Sequence, residues 1–482
     1  MPEGNATIDI TQIVDEQNVG VLVVRIVFLT FLVQMADGYD LAAMSYAAPA
    51  MVHAWHFKPS DLGPLFSASL VGMLFGAPLL GHAGDRFGRR QAIIWGTITY
   101  ALASLGMLAA DSFAAMLTLR FVCGIGLGGV MPNTIALNAE FAPKRRRATL
   151  IILMFMGVTV GGALPALVSS GFERSFGWES YFVVGGVVPL AIAVALYFYL
   201  PESIKFLSLH KRGRSQVLRL ARALRPDLVI PVEAEFHIPP FRDEGGVLPV
   251  QLFRNGMHWI TPLVWFLFVA SLMANFFINN WMPTLFRARG FSVDETSVTQ
   301  ASYYVGGVLG GLVISRLLDR WGIMALVVLF VLGCPVVAAI GLPAQSHWTL
   351  TFTVFMAGFS LLGIQLGLNA VSGLIYPTAI RSKGAGWMHG IGRFGAISAP
   401  LIGGWLITLG FSQQALFSVP SASLGIGVVA AVVLARFCNA RFKGSRLGEN
   451  AIAKPIAMIL PSECPSSAVA LAMVEDAANS AS

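Results

Sequence analysis

Twelve apolar runs divide the chain, beginning near Val21, Leu62, Gln91, Phe113, Thr149, Trp178, Trp259, Ser297, Ile323, Trp348, Ala385 and Gln414. Each is long enough to cross ~30 Å of hydrocarbon as a helix. Six precede a long polar segment, residues 201–258, and six follow it. The pattern therefore predicts an all-α polytopic membrane protein of two six-helix halves, 21–200 and 259–436. A polar segment, 1–20, leads the chain. Residues 437–482, rich in Ala, Ser and Pro without sustained periodicity, read as a mobile tail. Inside the central segment, KFLSLHKRGRSQVLRLARALRPD has the pattern of a basic amphipathic helix stopped near Pro226, with Leu218, Leu220 and Leu224 among its apolar positions. Such a helix would lie at the membrane surface as a linker.

Composition agrees with the pattern. Of 482 residues 56% are hydrophobic and 12% charged, with a mean hydropathy of +0.71, which excludes an ordinary soluble domain. The first twenty residues, MPEGNATIDITQIVDEQNVG, are too polar for a cleaved signal peptide, so the amino terminus is expected in the cytoplasm. Lys and Arg accumulate in loops that are not translocated. With both termini inside, 26 of the 32 fall on the cytoplasmic side, four outside (Lys58, Arg174, Arg287, Arg289) and two, Arg120 and Arg393, within helices. The net charge of +7 thus reflects topology and not nucleic-acid binding. Four scattered cysteines, Cys123, Cys334, Cys438 and Cys464, suggest neither a disulfide framework nor a metal site.

The halves echo each other. GHAGDRFGRR (81–90) has a weakened counterpart in SRLLDRWGIM (315–324), and EFAPKRRRA (140–148) aligns with YPTAIRSKG (376–384), Arg145 over Arg381. Offsets of 234 and 236 residues make the repeat one six-helix half. Duplicated halves that rock about a central site suit a secondary transporter. A membrane enzyme has less support, since the motifs contain no nucleophile and base pair, metal cluster or phosphate loop.

GHAGDRFGRR carries the G-x-x-x-D-R-x-G-R-R pattern and resembles the loop between helices 2 and 3 of the major facilitator superfamily. Gly81 and Gly88 suit a tight turn and close helix approach; Asp85, Arg86, Arg89 and Arg90 can form an ionic latch at the inner gate. RFVCGIGLGGVMPNTIAL (120–137) resembles the superfamily's helix-4 arginine motif, its glycines allowing close packing, and PESIKFL (201–207) resembles a further signature. In helix 5 Gly162 and Pro165 are separated, unlike the contiguous pair of drug antiporters. That departure weakens the alternative of a drug or metabolite exporter.

Nearly the whole chain resembles the aromatic acid:proton symporter family. DGYD (37–40) is similar to its helix-1 signature, WFLFVASLMANFFINNWMPTLFRARG (265–290) to its helix 7 and GIGRFGAISAPLIGG (390–404) to its helix 11. The resemblance implies uptake of a benzoate-like or hydroxybenzoate-like acid with protons, across a bacterial cytoplasmic (inner) membrane. The proton is the coupling ion and no other cofactor is expected. A sensor of aromatic acids that moves nothing is a further alternative, though no signalling domain is recognisable.

The residues that would do this work can be ranked. Asp37 and Asp40 are three apart and share a helix face. Counted from Pro49 they lie roughly 18 and 13 Å deep, and Arg120, counted from Phe113, roughly 10 Å deep. The superfamily's cavity is lined by helices 1, 4, 7 and 10, so Asp40 and Arg120 could face one another. An ionisable group at such depth is costly and by default functional. One arginine cannot neutralise two close carboxylates, so one acid of the pair would cycle a proton near physiological pH; which one is undecided, as is a static ion pair. Arg393 could meet the substrate carboxylate or serve packing or gating. Asn279 and Trp281 on helix 7, with Gln365 and Asn369 on helix 10, are possible lining groups for a planar acid.

Overall fold

A computed structural model of the chain describes residues 7–209, 213–228, 235–237, 252–253, 257–343, 345–376 and 381–442. The long helices are α1 (Val21–Trp55), α2 (Leu62–Phe87), α3 (Arg89–Gly106), α4 (Phe113–Phe141), α5 (Arg147–Ala163), α6 (Glu179–Tyr199), α7 (Ile260–Ala288), α8 (Val293–Trp321), α9 (Met324–Ile340), α10 (His347–Ile375), α11 (Arg381–Thr408) and α12 (Gln413–Phe442). Each begins within four residues of an apolar run marked in the sequence. Among the described residues eleven helices are long and apolar enough to cross a membrane; α9, with 17 residues, extends about 25 Å. The protein is a multi-pass membrane protein. Helix α12 continues to Phe442, so the first residues of the expected tail are helical; 443–482 lie outside the described residues, as do 377–380 within YPTAIRSKG.

The repeat seen in the motifs governs the packing. In the first half α1 packs on α5, α2 on α4, and α3 on α4 and α6; in the second α7 packs on α11, α8 on α10, and α9 on α10 and α12. Glycines set the closest approaches, because in lipid small residues let helix backbones touch. A side chain at Gly72 would run into the backbone of Phe121, one at Gly76 into Ile125, and one at Gly124 into Ser69. The corresponding contacts are Gly306 with Phe355, Gly310 with Phe359 and Gly358 with Tyr303, each glycine 234 residues after its counterpart. Gly161 against Met35, on α5 and α1, is repeated at the same offset by Gly395 against Val269. Between the halves α1 meets α7, α2 meets α11 and α5 meets α8.

One end of the bundle gathers the basic loops, and here the segment before α1 is ordered. A short helix, Ile10–Glu16, is capped by Asp9, whose carboxylate accepts from the Thr11 amide at 2.7 Å. Strand Thr7–Asp9 pairs in parallel with Glu235–His237 of the central segment. Arg147 binds Asp15 at 2.6 Å, Arg145 donates to Asn18 at 2.7 Å, and Gln17 donates to the Phe141 carbonyl at 2.7 Å. The expected linker helix is present but broken: Ile204–Leu209 is followed by Arg214–Leu224, which starts at Gly213 in the left-handed region (φ 84°). Val217, Ala221 and Leu224 are its buried positions, while Leu218 and Leu220 are only partly covered. Leu224 is thus buried as expected, while Val217 and Ala221 take the buried places in preference to Leu218 and Leu220, and the helix packs against the one before α1.

Candidate functional site

Helix α1 carries Asp37 and Asp40 into the interior, with 3% and 1% of their surface exposed. Arg120, one turn before the glycine-rich stretch of α4, is 2% exposed and donates from Nη1 to Asp40 Oδ2 at 3.1 Å. The Cys123 thiol donates to the same oxygen at 3.3 Å. The predicted pairing of Asp40 with Arg120 is therefore present. Cys123, one of four scattered cysteines in the sequence, stands three residues from Arg120, a spacing that puts the two on one face.

Asp37 has different surroundings. Its Oδ1 has no hydrogen-bond partner, and it interacts electrostatically with Asp40 and with Arg393 of α11. The Arg393 guanidinium crosses between the halves and donates to the backbone carbonyl of Met73 on α2. Arg120 Nε is likewise unpartnered, as is the hydroxyl of Tyr100, a fully buried residue of α3 close enough to interact with both acids. His389, one turn before Arg393, sits edge-on against Phe268 with ring centroids 4.9 Å apart, a packing role. Two acids, two guanidiniums, a thiol and a phenol thus meet where α1, α3, α4 and α11 converge.

The other candidates fall elsewhere. Trp281 is fully buried, its ring edge-on to Phe66 of α2 at 5.7 Å and pressed against Gly403; it packs the interface between the halves and does not line an open site. Asn279 accepts from Gln300 and Tyr304 of α8, partners that sequence patterning did not single out. Gln365 and Asn369 lie half-buried on α10, and the Gln365 Oε1 is buried without a partner.

Between the midplane and the end away from the basic loops, the halves are hydrogen-bonded together. Ser45 donates to Asn280 at 3.3 Å, Ser67 to the Ile397 carbonyl at 2.9 Å and Ser297 to Ser169 at 2.6 Å.

At the basic end, Arg89 pairs with Asp85, donates to Asn133 at 3.4 Å and lies 4.0 Å from Glu140. Asp85 keeps 62% of its side chain exposed. The Arg90 amide donates to Glu202 at 3.2 Å, and the Arg90 and Arg86 guanidiniums lie over the Tyr197 and Phe87 rings. Burial holds the Glu202 carboxyl above its ordinary value. Gly88 makes the turn into α3 at φ +111°, and the Glu202 carboxylate fills the space a side chain there would need. Gly81 has nothing within 4 Å of a built side chain, so the close approach expected of it is absent; Gly84, against Asn133, supplies it. Glu140 and Glu202 stood inside the quoted motifs EFAPKRRRA and PESIKFL without a role. The structure brings both to the arginines.

The chain matches the family model of the Major Facilitator Superfamily over residues 28–334 and 264–460. It is 32% identical to the 4-hydroxybenzoate transporter PcaK of Pseudomonas putida over 428 residues, 88% of this chain and 95% of that protein. A gallate transporter of the same species is 32% identical over 433 residues, 90% and 95% of the two chains. In fold it is similar to the xylose transporter XylE from E. coli in a partially occluded inward open conformation, with a TM-score of 0.64 at 17% identity, covering 87% of this chain and 98% of that one.

Proposed function

This chain belongs to the major facilitator superfamily, and from that premise we propose that it takes up a small aromatic carboxylate together with protons by alternating access. It is not an enzyme: the relatives it matches are transporters. The observation that carries the proposal is the cluster of buried Asp37, Asp40 and Arg120 with the partly buried Arg393 at the junction of the halves. Relatives of both aromatic acids support the substrate class. In the proposed topology α9 is the twelfth crossing, the basic end faces the cytoplasm with both chain termini, and the membrane is the bacterial inner membrane. The hydrogen bonds that join the halves toward the opposite end suit an inward-facing state.

The two acids take separate roles. Asp40 is held by Arg120 and Cys123 and keeps its charge compensated; Asp37 has no such counterion and is the acid that binds and releases the proton. Arg393, reaching from the second half toward Asp37, is the cation that a substrate carboxylate meets, since guanidinium to carboxylate bonds are charge-assisted and directional. Movement of Arg393 away from Met73 would accompany separation of the halves. Asp85, Arg86, Arg89 and Arg90 with Glu140 and Glu202 form the inner gate.

Uptake of labelled aromatic acids into proteoliposomes, with and without an imposed pH gradient, tests the whole reading. Asp37→Asn should abolish accumulation against a gradient and leave substrate counterflow, which need not deprotonate the carrier. Retention of pH-driven accumulation by Asp37→Asn would remove it from the coupling role. Uptake indifferent to the gradient in the wild type would refute symport.

A further inference from the structure

The amides of α7 are oriented by α8, and their orientation follows from acceptors that cannot be exchanged. Gln300 Nε2 donates to the backbone carbonyl of Asn279 at 3.2 Å. A carbonyl only accepts, so the nitrogen of Gln300 faces α7. The same nitrogen lies 3.1 Å from the Asn279 side chain, which must therefore turn its own oxygen toward it. Tyr304 donates to that oxygen as well, at 3.0 Å. Both lone pairs of Asn279 Oδ1 are occupied and its Nδ2 makes no hydrogen bond among the described residues, yet that nitrogen is not sealed from solvent. Asn275, one turn earlier on the same face, has its oxygen bound by the Tyr303 hydroxyl. Each residue keeps 8% of its surface accessible.

We propose that Asn279, with Asn275 beside it, is the specificity element that reads an oxygen substituent on the substrate's ring. Gln300, Tyr303 and Tyr304 act as positioning residues. The inference rests on the aromatic-acid reading above and extends it to the far end of the ligand. Ser45 of α1 binds Asn280, and Ser45 lies five residues, about 7.5 Å, along α1 from Asp40. Asn279, the neighbour of Asn280 on α7, is thus set about that far from the acid cluster along the bundle. The cluster supplies guanidiniums for the carboxylate; the amides are neutral donors, matched to a hydroxyl oxygen and poorer for a full charge. A site built to bond such an oxygen leaves its donors unpaired when the analogue lacks it, which is the basis of discrimination.

The Tyr304 ring lies against Gly162 of α5, so Tyr304→Phe removes the hydroxyl while the ring stays packed. The test compares benzoate with 2-, 3- and 4-hydroxybenzoate, by proteoliposome uptake and by ligand-induced thermal stabilisation of purified protein. The wild type should favour at least one hydroxylated acid. Asn279→Leu and Tyr304→Phe should each raise the half-saturating concentration of that acid about tenfold, the effect of one lost hydrogen bond, and change benzoate by less than about twofold. Equal weakening of benzoate and hydroxybenzoate, an unchanged ratio, or a wild type that favours benzoate overturns the inference. A wild type that neither binds nor carries any of these acids overturns the aromatic-acid reading itself, and this inference with it. Should Asn279→Leu fail to fold, Tyr304→Phe decides by the same ratio.

Discussion

Neutralising Asp40 by Asn should cost more in stability than any surface change, and the cost can be worked from the pair it breaks. Asp40 and Arg120 are 1% and 2% exposed and 3.1 Å apart. At that separation, with an effective dielectric of ~20, the attraction is about 5 kcal/mol. Losing one partner leaves the other charge buried and uncompensated, which by experience costs about 3–5 kcal/mol, so the two estimates agree. The thermal unfolding midpoint of the purified carrier, followed by tryptophan fluorescence, should fall by several degrees in Asp40→Asn. In the double variant Asp40→Asn with Arg120→Gln most of the loss should return, because the desolvation cost of Arg120 disappears with its charge. Transport should stay low in the double variant if the pair has a part in the cycle. A single variant that unfolds at the wild-type temperature would mean that the ion pair is open in the resting protein, and the separation of roles between Asp37 and Asp40 would lose its ground.

Arg120→Lys keeps the charge but loses the planar fork, and uptake should fall at least about tenfold at normal expression; near-normal uptake would show that a point charge suffices. Asp85→Asn frees Arg89 toward Glu140 and should lower the maximal rate of uptake with little change in half-saturation, whereas a wild-type rate would remove Asp85 from the gate. Gly88→Ala puts a side chain at φ +111° against the Glu202 carboxylate and should destabilise by roughly 1–3 kcal/mol, read as a lower midpoint. Because burial raises the Glu202 carboxyl, its ionisation costs the folded state stability as pH rises through the carboxylate range. The midpoint of Glu202→Gln relative to wild type should therefore climb with pH across that range, and a flat difference would contradict the assignment.

Much of this fold was legible because membrane helices advertise themselves. In lipid every backbone polar group must be satisfied within its own helix, so apolar length alone located the helix starts. Asp40 with Arg120 was legible for a related reason: a buried charge has few places to go, and depth along two helices matched them. Facing around the helix axis was not legible. Trp281 and Asn279 are two residues apart on α7, yet one packs the interface and the other holds its oxygen against α8. The order before α1 also escaped notice, since MPEGNATIDITQIVDEQNVG has too few apolar positions to predict docking. Its helix buries Ile10, Ile13 and Val14, and Arg147 and Arg145 bind Asp15 and Asn18, two arginines that from sequence alone served only the charge asymmetry.

The repeat separates what the architecture requires from what the site requires. Glycine contacts recur at an offset of 234 residues in α1 and α5, α2 and α4 and their counterparts, as expected if both halves solve the same packing problem. At the same offset Asp37 becomes Ser271, Asp40 becomes Ala274, Arg120 becomes Val354, and Arg393 maps back to Thr159. None of the four charges is kept. A charge that the fold needed would be needed twice, because each half places the equivalent helices in equivalent surroundings. Their confinement to one copy therefore argues against a purely architectural ion pair. The charged cluster forms off the symmetry of the bundle, with three residues from the first half and Arg393 from the second: in the proposed alternating access, motion between the halves changes the separation of Asp37 and Arg393, while Asp40 and Arg120, both of the first half, travel together.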